Sequence, residues 1–266
     1  MNEIVNTFNQ EFEVHSAETS PSIYKLQKDF VCVRLFGTFE VENHQGRFCE
    51  SNFKENQSLA LLQYLMAHPD RKLCLSELIE NNIWYLNRLG GKMDNAVALR
   101  VRRAKAMLNP LGLSKINGGL IISENGMYHL NPNYTIWRDV DEFDRLMNQI
   151  ELCALDDPDG LQLCLKALEL YRGQFLERNK AVPWIMQFRS YYHQRFLSVV
   201  DSTLARMKQM QQFEALPLLC SRTASIIPEV EGFHMNLIQL LMDLKEKKLL
   251  LRHLYELAEW KAGQEN

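Results

Sequence analysis

At 266 residues, with 46% hydrophobic and 24% charged side chains, the chain has the composition of a globular protein long enough for two domains. No stretch approaches the roughly 18–20 consecutive apolar residues that a membrane span needs. The N-terminus lacks a basic segment followed by an apolar one, so no secretory signal is read and a cytoplasmic location is expected.

The net charge of −3 hides an uneven distribution. Residues 1–29 carry 2 Lys/Arg against 5 Asp/Glu, residues 30–135 carry 12 against 9, and residues 136–266 carry 16 against 19. All the positive excess therefore lies in the middle. The first 29 residues are polar and mildly acidic and are expected to form a flexible arm. The six cysteines (Cys32, Cys49, Cys74, Cys153, Cys164, Cys220) show no C-x-x-C pair and no Cys/His metal spacing. They are expected to be reduced thiols packed as small hydrophobes. No catalytic residue, metal site or cofactor loop is read, and an enzyme is not expected.

Phe30–Val41 alternates and is rich in β-branched and aromatic residues, which predicts strand, with Gly37 as a bend between two short strands. Asn43–Gly46 is a turn, and Arg47–Glu50 returns as a third strand. Gln57–Met66 has the helical period, with Leu59, Leu62, Leu65 and Met66 on one side; Pro69-Asp70 ends it. Arg71–Leu75 is a connector. Ser76 is a natural N-cap for a helix over Glu77–Leu86, followed by a Gly-containing loop to Lys92. Leu120–Leu130 predicts a two-stranded hairpin, because Asn125-Gly126 suits a type I′ turn with positive φ at both central positions.

Between them lies the stretch with the strongest signal, Asp94–Leu108. Val97, Val101, Ala104 and Leu108 stack on one side of a helix. Asn95, Arg102 and Arg103 lie on or near the opposite side, with Arg100 and Lys105 on the flanks. Asp94 and Asn95 are suitable N-caps, and Pro110-Leu-Gly112 stops the helix. Such a helix is anchored by its apolar stripe and turns guanidinium groups outward. A reading head for a DNA major groove and an ordinary solvated basic face both fit this helix taken alone.

The order strands, helix, helix, basic helix, hairpin is the layout of a winged helix-turn-helix, and the segment resembles the OmpR-type DNA-binding domain. Phe36-Gly37 through Val41 matches that family's opening strand; Leu61–Leu65 matches its first helix; Ser76, Leu78 and Trp84 match its second. Asn95, Val97, Leu99, Val101, Arg103, Lys105 and Leu108 match its recognition helix, and Asn125–Leu130 its wing. The sequence departs at Ala104 (usually Leu), Lys105 (usually Arg) and Met127 (usually Gly), and its wing is poor in cations. The resemblance implies a base contact for Arg103, with Arg100, Arg102 and Lys105 divided between bases and backbone. The N-terminus of the Ser76 helix has the partial positive charge to hold a phosphate, and Lys115 and Asn117, just before the wing, complete the candidate set.

From Trp137 onward the pattern predicts helix throughout. The segments are Asp139 to about Cys153, Leu161–Tyr171, Pro183 to about Gln211, Phe213–Ile227, Glu231–Leu244 and Lys248–Trp260. Asp156–Gly160 lacks the further ligands of a calcium loop and reads as a turn. Two helix pairs of about 34 residues suggest tetratricopeptide-like repeats. This segment resembles the bacterial transcriptional activator domain. The likeness is carried by Asp139, Val140, Phe143 and Leu146, by Ala167–Leu176, and by Pro183-Trp184, Phe213–Pro228, Glu231 and Leu254-Tyr255. Lys245 stands where that family often has Gly.

The expected architecture is therefore mainly α with a small β component. It comprises an arm (1–29), a winged helix-turn-helix domain (30–135) and an all-α repeat domain (136–266). That order resembles the streptomycete antibiotic regulatory protein family of activators. The resemblance implies a transcription activator that binds promoter direct repeats in double-stranded DNA as a side-by-side pair. It also implies contact with RNA polymerase and its sigma factor. A non-DNA adaptor, whose repeats bind only proteins, is the rival reading.

Overall fold

The computed structural model describes residues 29–54, 57–74, 77, 93–114 and 118–264. The arm, the predicted Ser76–Leu86 helix beyond residue 77, and the loop to Lys92 lie outside the described residues. The fold is mainly helical with a small sheet component. The described residues cluster into two compact units, one within 29–142 with 175–189 and the other of 143–174 with 190–264.

In the first unit, β1 (Phe30–Arg34), β2 (Glu40–Asn43) and β3 (Gly46–Cys49) form an antiparallel meander. Phe30, Val31, Cys32 and Val33 are all buried, as befits a strand with a neighbour on each edge. The second neighbour is β6 (Thr135–Arg138), which pairs parallel to β1 and gives the order β3-β2-β1-β6. This corrects the helical reading at residue 137: Trp137 and Arg138 belong to a strand. Parallel pairing across about a hundred residues leaves no local periodicity to read.

The helices follow from their apolar spacing. α1 (Gln57–Ala67) buries Leu59, Leu61, Leu62, Leu65 and Met66, and its last carbonyls, Met66 O and Ala67 O, accept from the Arg138 guanidinium (3.3 and 2.8 Å). α2 (Met93–Met107) already includes Asp94 and Asn95 in its first turn, so neither is the N-cap. The hairpin β4 (Ile121–Glu124) and β5 (Met127–Leu130) turns through Asn125 (φ 52°) and Gly126 (φ 74°), the predicted geometry.

Asp139 closes this unit. It is 1% exposed, and its carboxylate accepts from the Leu35 amide (2.8 Å) and the Phe36 amide (3.1 Å). Residues 175–189 also belong here. The Leu176 amide donates to Leu35 O, and Gln63 and Asn179 exchange side-chain hydrogen bonds. The Trp184 ring packs on Tyr64 (4.9 Å between centroids). Gln63 also donates to Glu50, whose other oxygen accepts from the Phe39 amide.

The second unit is helical. It contains α3 (Asp139–Ile150) from Phe143, α4 (Pro158–Leu170), α5 (Pro183–Met210) from Ser190, α6 (Leu216–Ile226), α7 (Glu231–Asp243) and α8 (Lys247–Gln264). The predicted Asp156–Gly160 turn becomes a helix start: Asp157 caps α4 by accepting from the Asp159 amide. Tyr171 stacks on Phe196 (4.4 Å) and meets Phe143. Arg206, buried in this core, donates to Ile150 O, Cys153 O and Ala154 O, which satisfies carbonyls at and after the end of α3. Lys245, at φ 59°, holds the left-handed turn before α8, a position that suits glycine.

Buried polar pairs make two predictions. Asp139→Ala leaves two amides without their acceptor and should cost about 3 kcal/mol in urea unfolding, with Asp139→Asn recovering part. In the second unit, His234 Nε2 donates to Ile227 O (2.9 Å), so its Nδ1 accepts from His253 Nε2 (3.1 Å). Burial, and for His253 also its neighbour His234, lowers both imidazoles, His253 to about 4. Neutral rings therefore contribute stability that is complete above the ordinary histidine value of about 6.5 and is lost as pH falls toward 4. Unfolding followed from pH 7 to 5 should show a loss on the order of 1–2 kcal/mol, reduced in His253→Gln, which keeps a donor for His234.

Candidate nucleic-acid interface

α2 is held by one side. Val101 and Ala104 are buried, as is Leu108 just after the helix, and α2 packs against α1. A short 3-10 turn (Asn109–Leu111) and Gly112, at φ 66°, stop the helix. That φ favours glycine there; a Cβ would meet only the end of the exposed Gln45 side chain, which can move aside. Asn43 ties this end to the β2–β3 turn by donating to Leu111 O (2.8 Å).

The opposite side is turned outward. Ala98, Leu99, Arg102, Arg103 and Ala106 are exposed; Arg100 and Lys105 are half-buried on the two flanks. Arg100 and Arg103 share an open groove of about 710 Å³ with Phe53, Gln57, Ser58 and Met107. The predicted cations are thus split: two line this groove, Arg102 stands on the crest, and Lys105 lies on the far flank. Burial pulls the Lys105 ammonium below the usual lysine value, a shift that a facing phosphate would oppose. Among the described residues, no carboxylate forms an ion pair with Arg102, Arg103 or Lys105. Asn95 lies in the first turn of α2, and its side chain is outside the described set. Ser76, Lys115 and Asn117 are outside the described residues.

The hairpin is widened by a third extended segment. Leu73 N donates to Tyr128 O and Tyr128 N to Leu73 O, both at 2.9 Å. Its tip presents Ser123, Glu124 and Asn125, all exposed, and residues 118–134 include no Lys or Arg. Positive charge beside the hairpin comes from the exposed Arg71 and Lys72, just before Leu73, and not from the hairpin itself. The groove neighbours Phe53, Gln57 and Ser58 were not among the predicted site residues. They lie some 45 positions from α2 in the sequence and carry no charge pattern to signal the meeting.

The two sides of α2 should separate in stability measurements. Ala104→Asp buries an unpaired carboxylate and should cost about 3 kcal/mol or more, whereas Arg103→Ala should stay within about 0.5 kcal/mol of the parent in urea titrations. A large loss with Arg103→Ala would make it a structural residue.

Among the described residues, no group of three or more His, Cys, Asp or Glu could hold a metal ion, and no helix is long and apolar enough to cross a membrane. The six thiols are free; burial pushes Cys164 up and Cys220 to about 12, which keeps both protonated at neutral pH. No curated protein matches the chain. Residues 138–257, from the last residue of β6 into α8, match the bacterial transcriptional activator domain, a regulatory and not an enzymatic family.

Proposed function

We propose that the protein is a sequence-specific DNA-binding transcription activator. In this reading, residues 30–135 form a winged helix-turn-helix and residues 136–266 a tetratricopeptide-like activator domain. The observation that carries it is the two-sided α2: an apolar side docked on α1 and an outward side with Arg102 and Arg103 unpaired by carboxylates among the described residues. The activator-domain match next to it supplies the regulatory context.

A helix of 15 residues is about 22 Å long, enough to lie in a major groove. Arg103, exposed at the groove edge of α2, has the reach and the planar fork to grip guanine O6 and N7, a contact that discriminates by about 1–3 kcal/mol. Arg102, Arg100 and Lys105 supply phosphate contacts or further base contacts, and Asn95 a polar contact near the start of the helix. Ser76 at a helix N-terminus, Lys115 and Asn117 would add backbone contacts. The wing has no cation to offer, so most of the charge-driven affinity falls on α2. The domain at 136–266 would engage RNA polymerase and its sigma factor while two copies sit side by side on direct repeats.

The adaptor reading draws on the cation-free wing and the net charge of −3. Selection of bound fragments from the source genome, followed by salt titration on the best one, separates the two. A DNA binder gives log K falling with log[salt] at a slope near −0.9 per phosphate neutralised. Arg103→Ala should weaken the selected site about 10- to 100-fold and random DNA far less. Equal loss on both removes the base contact, and no retained fragment favours the adaptor.

A further inference from the structure

The groove beside α2 combines an apolar wall with two cations. Phe53, Ala106 and Met107 supply the apolar part, Arg100 and Arg103 the charge, and Gln57 and Ser58 enter from the first turn of α1. No carboxylate lines it among the described residues. Its volume of about 710 Å³ is that of a cleft that takes a small ligand. Phe53 is a large aromatic left 38% exposed at this wall, its ring stacked on Phe48 at 5.0 Å between centroids. Arg100, Arg103 and Met107 recur at intervals of three and four, which sets them in one row along α2.

These side chains define the chemistry of an occupant. Two guanidiniums without a carboxylate in the described lining repel a cation and attract an anion. The guanidinium is a planar fork that grips a carboxylate through two parallel N–H···O bonds. A bare inorganic anion would use the fork but leave Phe53, Ala106 and Met107 against water. A flat apolar body covers them: an aromatic ring packs on Phe53, and a thioether such as that of Met107 makes favourable contact with a ring edge. A planar ring bearing one carboxylate therefore matches both halves of the lining.

We propose that this groove binds a small aromatic carboxylate, its ring laid against Phe53 and Met107 and its carboxylate held by Arg103 and Arg100. The ligand would also regulate the outward side of α2, because an Arg103 that holds a carboxylate has no fork left for a guanine. Ligand and DNA then compete for Arg103, and each weakens the other by the same factor. That consequence rests on the proposed DNA-binding function; the ligand site itself does not.

Calorimetric titration of the full chain without DNA, with acetate, benzoate and 2-naphthoate at low salt, tests the site. The naphthoate should saturate one site with a Kd below about 1 mM, benzoate should bind more weakly and acetate not measurably. The uncharged 2-naphthylmethanol, which keeps the ring, should bind at least about tenfold more weakly than the naphthoate. Arg103→Gln should weaken the naphthoate about tenfold while urea unfolding stays near that of the parent, and Phe53→Ala should weaken it by a similar factor. No saturation by the naphthoate, equal binding of the alcohol, or an Arg103→Gln variant that binds like the parent overturns the proposal. On a genomic fragment that the protein retains, saturating naphthoate should weaken DNA binding about tenfold. Unchanged DNA affinity overturns the competition at Arg103 and leaves the site. Absence of any DNA binding overturns the DNA reading alone, since the ligand titration contains no DNA.

Discussion

The first unit depends on one buried carboxylate. Asp139 stands where β6 ends and α3 begins, and its two oxygens take the amides of Leu35 and Phe36 just beyond β1. A carboxylate that accepts charged hydrogen bonds out of water is costly to displace. It therefore locks the parallel β1–β6 pairing into register. The next residue back, Arg138, uses the same placement to cap α1. The Leu176 amide closes on Leu35 from a segment some 140 positions away. Asp139 and the returning segment converge on residues 35–37 while Arg138 caps α1, so the frame that positions α1, and through it α2, is set by polar contacts of long sequence separation.

On that frame α2 does two jobs with two sides. Val101, Ala104 and Leu108 hold the helix against its neighbour, so the outward side chains inherit a fixed direction without being consumed in structural pairs. Ala104 is fully buried, so α2 meets its neighbour there through a small side chain. Electrostatics follow from the same geometry. The cations spread over the crest and both flanks, while the hairpin tip contributes Glu124 and no positive charge.

The second unit satisfies its interior polar groups differently. Arg206 spends its guanidinium on backbone carbonyls at the end of α3, and the His234–His253 pair spends its donors in a chain that ends at Ile227 O. Both solutions tie a helix to the carbonyls of a turn distant in sequence. They make the unit sensitive to protonation in one place and to loss of a single cation in the other. The outer side of α8 is the converse case, where Leu251, Leu254 and Tyr255 stay exposed.

Local chemistry was legible in the amino-acid sequence wherever a short-range rule applies. The β-branched and aromatic run from Phe30, the period of Gln57–Met66, the Asn125-Gly126 turn, the stop at Pro110–Gly112 and most helices after residue 158 needed only neighbours within a turn or a hairpin. The same rules identified the buried line Val101–Leu108 and the outward Arg102 and Arg103. Tertiary structure alone decided that Thr135–Arg138 is a strand, that residues 175–189 pack with the first unit, and that Arg100 and Arg103 share a groove with Phe53 and Ser58. It also decided that His253 meets His234 and that Leu251 and Tyr255 stay exposed. Each of these depends on a partner far along the chain, and an apolar residue at helical spacing looks the same in sequence whether it meets the core or open solvent.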